Sequence, residues 1–217
     1  QLEKEQEAVA YYSKALQNQQ VPYSIVKEHY EIVLNTLKEI DENQLSLVNT
    51  LTDLSQQEKS IRDGLDVFEL DLRNMKRTIE KYHLPGLPKE YLELFFATSS
   101  RIEQLSQLMN RVKLDMTEIT GLNQTIEDDV EKLDIMTEEI VDHAQLTEYM
   151  IQYANRYRLD HPEIDTAIQQ ALEQFNHFYR YEESLAIIEK ALNQVDPGSA
   201  QRVRDNYQAE KNNSLFF

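Results

Sequence analysis

Residues 51–82 read LTDLSQQEKSIRDGLDVFELDLRNMKRTIEKY. Leu51, Leu54, Ile61, Leu65, Phe68, Leu72, Met75, Ile79 and Tyr82 recur at three- and four-residue steps, with Glu58 the one lapse. That spacing is a heptad seam, which turns one apolar stripe toward partner helices. The stretch extends back to Ser24 with no proline and only Gly64. At 1.5 Å per residue, an unbroken helix over 24–82 would run roughly 90 Å, longer than a single globule of this mass accommodates.

On its C-terminal side, His83-Leu-Pro-Gly-Leu-Pro88 ends the helix, because two prolines and a glycine cannot continue it. A second long segment runs from Lys89 to Arg158. Its seam is Ile102, Leu105, Met109, Val112, Met116, Ile119, Ile126, Val130, Leu133, Ile140, Ala144, Ile151 and Ala154. Gly121, followed by the capping-box-like Thr125-Ile-Glu-Asp128, predicts a turn at 121–124 that makes two helices of about 33 residues each. The heptad phase nevertheless passes Gly121 without slipping. On the N-terminal side, Pro22 separates off a first short helix.

Breaks near 22, 85 and 122 describe helices of roughly 30 residues repeating at about 100, a spectrin-like three-helix repeat. Beyond Arg158 the pattern shortens. Asp160-His-Pro162 opens one helix, Phe178-Tyr-Arg-Tyr181 leads into another ending near Val195, and Asp196-Pro-Gly-Ser199 caps a last one. The expected fold is all-α and elongated: spectrin-like three-helix repeats with long connecting helices and a terminal cluster of short helices. Residues 1–49 are read as the end of a preceding repeat, 50–159 as one repeat, 160–211 as the short-helix cluster and 212–217 as a tail.

Composition agrees. The 217 residues include four glycines, five prolines, no cysteine and no tryptophan. Turn-rich β or α/β architectures use far more glycine. Without cysteine there is no disulfide framework, zinc finger or thiol nucleophile. With 39 acids against 22 bases the net charge is −17. No basic patch is available to neutralise nucleic-acid phosphates, and no cationic face to meet anionic lipid. No run approaches the roughly 20 apolar residues of a bilayer span. The chain opens on Gln1 inside a helical pattern, so a fragment with an anchor or further domains upstream is expected.

Catalytic chemistry finds little footing. Glycines at 64, 86, 121 and 198 form no phosphate loop. Among His29, His83, His143, His161 and His177, only Glu80-x-x-His83 has the spacing of a di-iron ligand pair. Such a site needs two pairs and two further glutamates. A metal-dependent bundle enzyme would rest on Glu80 and His83 alone; the reading is a non-enzyme with no cofactor. The acidic run Glu127, Asp128, Asp129, Glu131, Asp134, Glu138, Glu139 and Asp142 reads as the solvated face of a helix whose seam is buried.

One stretch stands apart: Gln152-Tyr-Ala-Asn-Arg-Tyr-Arg158, where bases dominate. At 100° per residue, Met150, Ala154 and Tyr157 share one face. Gln152, Asn155 and Arg156 share the opposite face, with Leu159 beside them. Amide and guanidinium donors gathered with tyrosines resemble the composition of protein interfaces, although an ordinary polar helix face has the same spacing.

This stretch, with Pro162, Phe-Tyr-Arg-Tyr-Glu-Glu-Ser-Leu-Ala at 178–186, Asp-Pro-Gly-Ser at 196–199 and the 83–88 turn, resembles the C-terminal region of the EzrA family of septation ring formation regulators. The resemblance implies a cytoplasmic array of spectrin-like repeats behind one N-terminal membrane anchor, placed at the division septum. It implies binding to the tubulin-like protein FtsZ and to other division proteins. It also implies that Gln152, Asn155 and Arg156, with Tyr153, Tyr157 and Arg158, form the partner-binding patch. Ala154 stands where a glycine is common in the family, which stiffens the helix. The rival expectation is a passive self-associating coiled-coil spacer, with Leu92, Phe95 and Phe96 as exposed seam positions.

Overall fold

The proline-free stretch after Pro22 forms one helix of 59 residues. The computed structural model describes residues 2–18 and 22–214. Among them are α1 (Leu2–Gln17), α2 (Tyr23–Lys81), α3 (Lys89–Met109), α4 (Met116–Ala154), α5 (Pro162–Glu173), α6 (Tyr181–Val195) and α7 (Ser199–Ser214), and no strand. The all-α class is therefore correct. A 3₁₀ turn covers Asn155–Tyr157 and a π turn Gln174–Phe178. Residues up to Ser60 and residues from Ile61 onward form two units.

In the first unit α1 lies along the start of α2. Ala15 and Val33 are buried between them, and the Tyr12 ring sits 4.4 Å from the His29 ring, centroid to centroid. Residues 41–57 of α2 are exposed throughout. Here the seam reading needs correction: Leu51 is 57% and Leu54 38% exposed, and the stripe is buried only from Ile61. A heptad stripe records a capacity to pack. Burial requires a helix against it, and none of the described residues supplies one there.

In the second unit, α2 from Ile61, α3 and α4 enclose a common core containing Phe68, Met75, Leu105, Ile126 and Leu133. Each fully buried aliphatic side chain contributes about 1.5–3 kcal/mol. Polar ties fix the register. Arg62 donates from Nη2 to the Met109 carbonyl at 2.6 Å, satisfying an orphan acceptor at the α3 C-terminus. The buried Tyr91 hydroxyl meets Thr137 Oγ1 at 2.8 Å, and that Thr137 hydroxyl lies 2.7 Å from the Leu133 carbonyl.

The turn expected at 121–124 is absent; α4 runs straight through Gly121. The break falls earlier, at 110–115, where the seam residue Val112 is fully exposed. Asp115 caps α4, its Oδ1 accepting from the Thr117 and Glu118 amides at 3.0 and 3.2 Å. Thr125 caps nothing and donates back to the Gly121 carbonyl. A mid-helix glycine costs only about 1 kcal/mol relative to alanine, less than the burial that continuous phase secures on both sides of it.

The last part of α4 joins α5, α6 and α7 around a second core that includes Met150, Ile164, Ile168, Ile188, Leu192 and Val203. Ser184 Oγ donates to the Ala171 carbonyl at 2.6 Å inside it. The first residue of α6, Tyr181, belongs to the first core, and its hydroxyl donates to the Gly86 carbonyl of the 83–88 turn at 2.7 Å. α7 continues to Ser214, past the residue 211 expected from sequence; 215–217 lie outside the described residues.

These buried tyrosines predict alkaline sensitivity. Burial pushes the Tyr181 phenol up to about 12, and burial also raises Tyr91 and Tyr207 above the ordinary value of 10.0. Native phenols then hold their protons where unfolded ones release them, so this stability is complete below pH 10 and is lost as pH rises toward 12. Urea unfolding followed from pH 8 upward is expected to show the midpoint falling from about pH 10. Tyr181→Phe should flatten that slope.

Candidate functional site

The expected contact stretch occupies the end of α4 and the 3₁₀ turn that follows, and its side chains sort into three groups. Ala154 is fully buried and Met150 likewise, which anchors one face in the second core. Tyr153 and Tyr157 are half-buried above it, their ring centroids 6.0 Å apart. Gln152, Asn155, Arg156 and Arg158 are exposed.

The tyrosines support the exposed groups. Arg156 lays its guanidinium over the Tyr153 ring, 3.5 Å from the centroid, and its Nε donates to the Tyr153 carbonyl at 3.1 Å. Stacking of this kind holds a flexible cation in one orientation while its outer edge stays wet. Among the described residues Arg156 has no ion pair, and the Gln152 and Asn155 side chains have no hydrogen-bond partner. Arg158 differs: it pairs with Asp165 of α5, and so braces the turn against the next helix.

A second layer holds the turn from α6 and α7. The Tyr157 hydroxyl donates to Asp196 Oδ2 at 3.0 Å, and Arg202 Nη2 donates to the same oxygen at 2.7 Å. Arg202 first, and Tyr157 second, hold the Asp196 carboxyl below the usual carboxylate range. The Tyr153 and Asp196 side chains together push the Tyr157 phenol up to about 12. The sequence reading took Asp196 for a cap. Its backbone carbonyl does accept from the Ser199 amide, but its carboxylate is committed to Tyr157 and Arg202. Asp196 and Arg202 were missed because no local periodicity links residues forty positions apart.

Other candidates are engaged elsewhere. Glu80 pairs with Lys76 at 3.9 Å, while His83 turns at φ +51 beyond the helix end. Within the acidic run, Asp129 pairs with Arg101 and Asp142 with Lys211. Of the positions expected to be exposed, Leu92 and Phe95 are half-buried, Phe95 against the first core, and Phe96 is 66% exposed. No helix among the described residues is long and apolar enough to cross a membrane.

Residues 1–207 match the family described as "Septation ring formation regulator, EzrA". A septation ring formation regulator of Enterococcus faecalis is 40% identical over 193 residues, covering 89% of this chain and 33% of that protein. One from Lactococcus lactis subsp. lactis is 37% identical over 192 residues, covering 88% and 33%. One from Streptococcus sanguinis is 35% identical over 194 residues, covering 89% and 34%. The chain thus spans about a third of the length of these relatives. No solved structure gives a significant match.

Proposed function

The chain belongs to the EzrA family of septation ring formation regulators, and on that footing we propose that it is a non-enzymatic scaffold and regulator of bacterial cell division. In this reading residues 50–159 are a spectrin-like repeat and 160–211 a closing cluster. Together they present the 152–158 surface to the tubulin-like division protein FtsZ, on the cytoplasmic side of the membrane at the septum. An anchor upstream in the full-length protein would supply membrane attachment. Long helices suit this task because they hold a contact at a fixed distance from an anchor.

The observation that carries the proposal is the pre-set Arg156 guanidinium on Tyr153, flanked by the unpartnered amides of Gln152 and Asn155. Groups held in place before contact lose less conformational entropy on binding. The test is a pull-down of FtsZ by the wild-type chain and by the triple variant Gln152→Ala, Asn155→Ala, Arg156→Ala. Binding is expected to fall at least tenfold, about 1.4 kcal/mol or more, with helicity unchanged. Equal capture by both chains at preserved helicity would remove the patch from the mechanism.

A second reading, the passive self-associating spacer, draws on the exposed apolar side chains of α2, among them Leu45, Leu47 and Leu51. Analytical ultracentrifugation separates the two. A monomer at high concentration counts against self-assembly.

A further inference from the structure

Helix α7 is held in two different ways along its length. Its first half is built into the second core, with Ala200, Val203 and Tyr207 buried at three- and four-residue steps. Around them Ser199 Oγ donates to the Leu192 carbonyl at 3.2 Å, Arg202 pairs with Asp196 at 2.7 Å, and Arg204 pairs with Glu189. Tyr207 is the last of these anchors. The helix runs on to Ser214, about two turns further, yet Gln208, Ala209, Glu210, Lys211 and Asn212 are all exposed.

What keeps this end on α4 is polar. The Tyr149 hydroxyl donates to Glu210 Oε1 at 2.8 Å, and Lys211 Nζ donates to Asp142 Oδ1 at 2.6 Å. Asp142 is a shared node, since the same oxygen accepts from the Tyr207 hydroxyl at 3.2 Å. Ties between exposed charged groups are weak, and salt screens them further. Beyond Tyr207 no buried side chain among the described residues of α7 reinforces them. Two turns of helix without a packed face also have little cooperativity of their own.

We infer that residues 208–214 form a strap, hinged at Tyr207, that opens from α4 and closes on it while residues 199–207 stay docked. Lys211 is the only base in the strap, and its ammonium is the main hold on an acidic helix face. Closed, the strap covers the Tyr149 hydroxyl and the Asp142 carboxylate. Open, it leaves both groups in line with the exposed Glu138, because 138, 142, 145 and 149 follow helical spacing along α4. Ionic strength sets the balance between the two forms. The device does not depend on which partner the 152–158 surface meets.

Hydrogen–deuterium exchange of the free chain tests this at about 0.01 M and about 1 M sodium chloride, between which the screening length falls from roughly 30 Å to roughly 3 Å. Amides of 208–214 are expected to exchange at least about tenfold faster at the higher salt, with those of 199–207 unchanged. Lys211→Glu should bring the same increase at low salt by setting like charges together. The charge-swapped pair Asp142→Lys with Lys211→Glu should slow exchange again, which a mere loss of lysine from the helix end would not allow. Protection of 208–214 that survives either high salt or Lys211→Glu would overturn the inference. So would a charge-swapped pair exchanging as fast as Lys211→Glu alone. Loosening of 199–214 as one block would remove the hinge, and a segment 208–214 already unprotected at low salt would remove the closed form.

Discussion

Leu133→Ala is expected to destabilise the second unit by about 2–5 kcal/mol. Leu133 is fully buried at the middle of α4, in the core that α4 shares with α2 and α3. Collapse around the lost atoms is restricted. The Thr137 hydroxyl is bonded to the Leu133 carbonyl and meets the Tyr91 hydroxyl, so helix α4 is pinned against α3 one turn away. A cavity in a site that cannot relax carries both the transfer cost and the loss of dispersion contacts. For a domain of this size the melting temperature should drop by roughly 5–15 °C. Val67→Ala is the control, since Val67 is 52% exposed on the same bundle and should shift stability by less than about 0.5 kcal/mol. Urea unfolding followed by circular dichroism measures both.

Gly86→Ala is the second large effect, and it acts through a contact far away in sequence. A Cβ on Gly86 would lie 2.5 Å from the Tyr179 ring, closer than side chains approach. The ring has little room to yield. Tyr179 sits at φ +56 directly after the π turn, and the next-but-one residue, Tyr181, is buried against Phe175 and bonded to the Gly86 carbonyl. Overpacking of this kind costs about 1–3 kcal/mol. Removing the ring removes the conflict. Tyr179→Gly also places glycine where the backbone is left-handed, a conformation it adopts without strain. In that background Gly86→Ala is expected to cost close to nothing, so a double-mutant cycle should return a coupling of about 1–3 kcal/mol. Simple additivity would show that the 83–88 turn and the Tyr179 ring do not bear on each other.

These cases mark where the fold could be read from the chain and where it could not. The seam from Ile61 to Ile79 is visible in sequence because apolar spacing reports directly which face a helix buries. The same rule failed at Leu51 and Leu54, where the stripe continues and no described helix covers it. Gly121 was misread for a different reason. Glycine weakens a helix only slightly, whereas unbroken heptad phase on both sides reports burial worth more; the Asp115-Met-Thr-Glu118 cap was the better signal. At the candidate surface, helical spacing correctly separated Gln152, Asn155 and Arg156 from Ala154. It could not show that Arg158 is committed to Asp165, or that Asp196 and Arg202 hold Tyr157, because tertiary pairing sets both. The 96% exposure of Leu159 likewise depends on what the neighbouring helices leave uncovered.

Under the proposed function, the turn at the end of α4 is the contact with FtsZ. Hydrogen–deuterium exchange of the chain with and without saturating FtsZ addresses it most directly. New protection is expected in peptides spanning 150–161, with the α2 and α3 peptides unchanged. Protection confined to α2 or α3, with 150–161 exchanging as in the free chain, would contradict it.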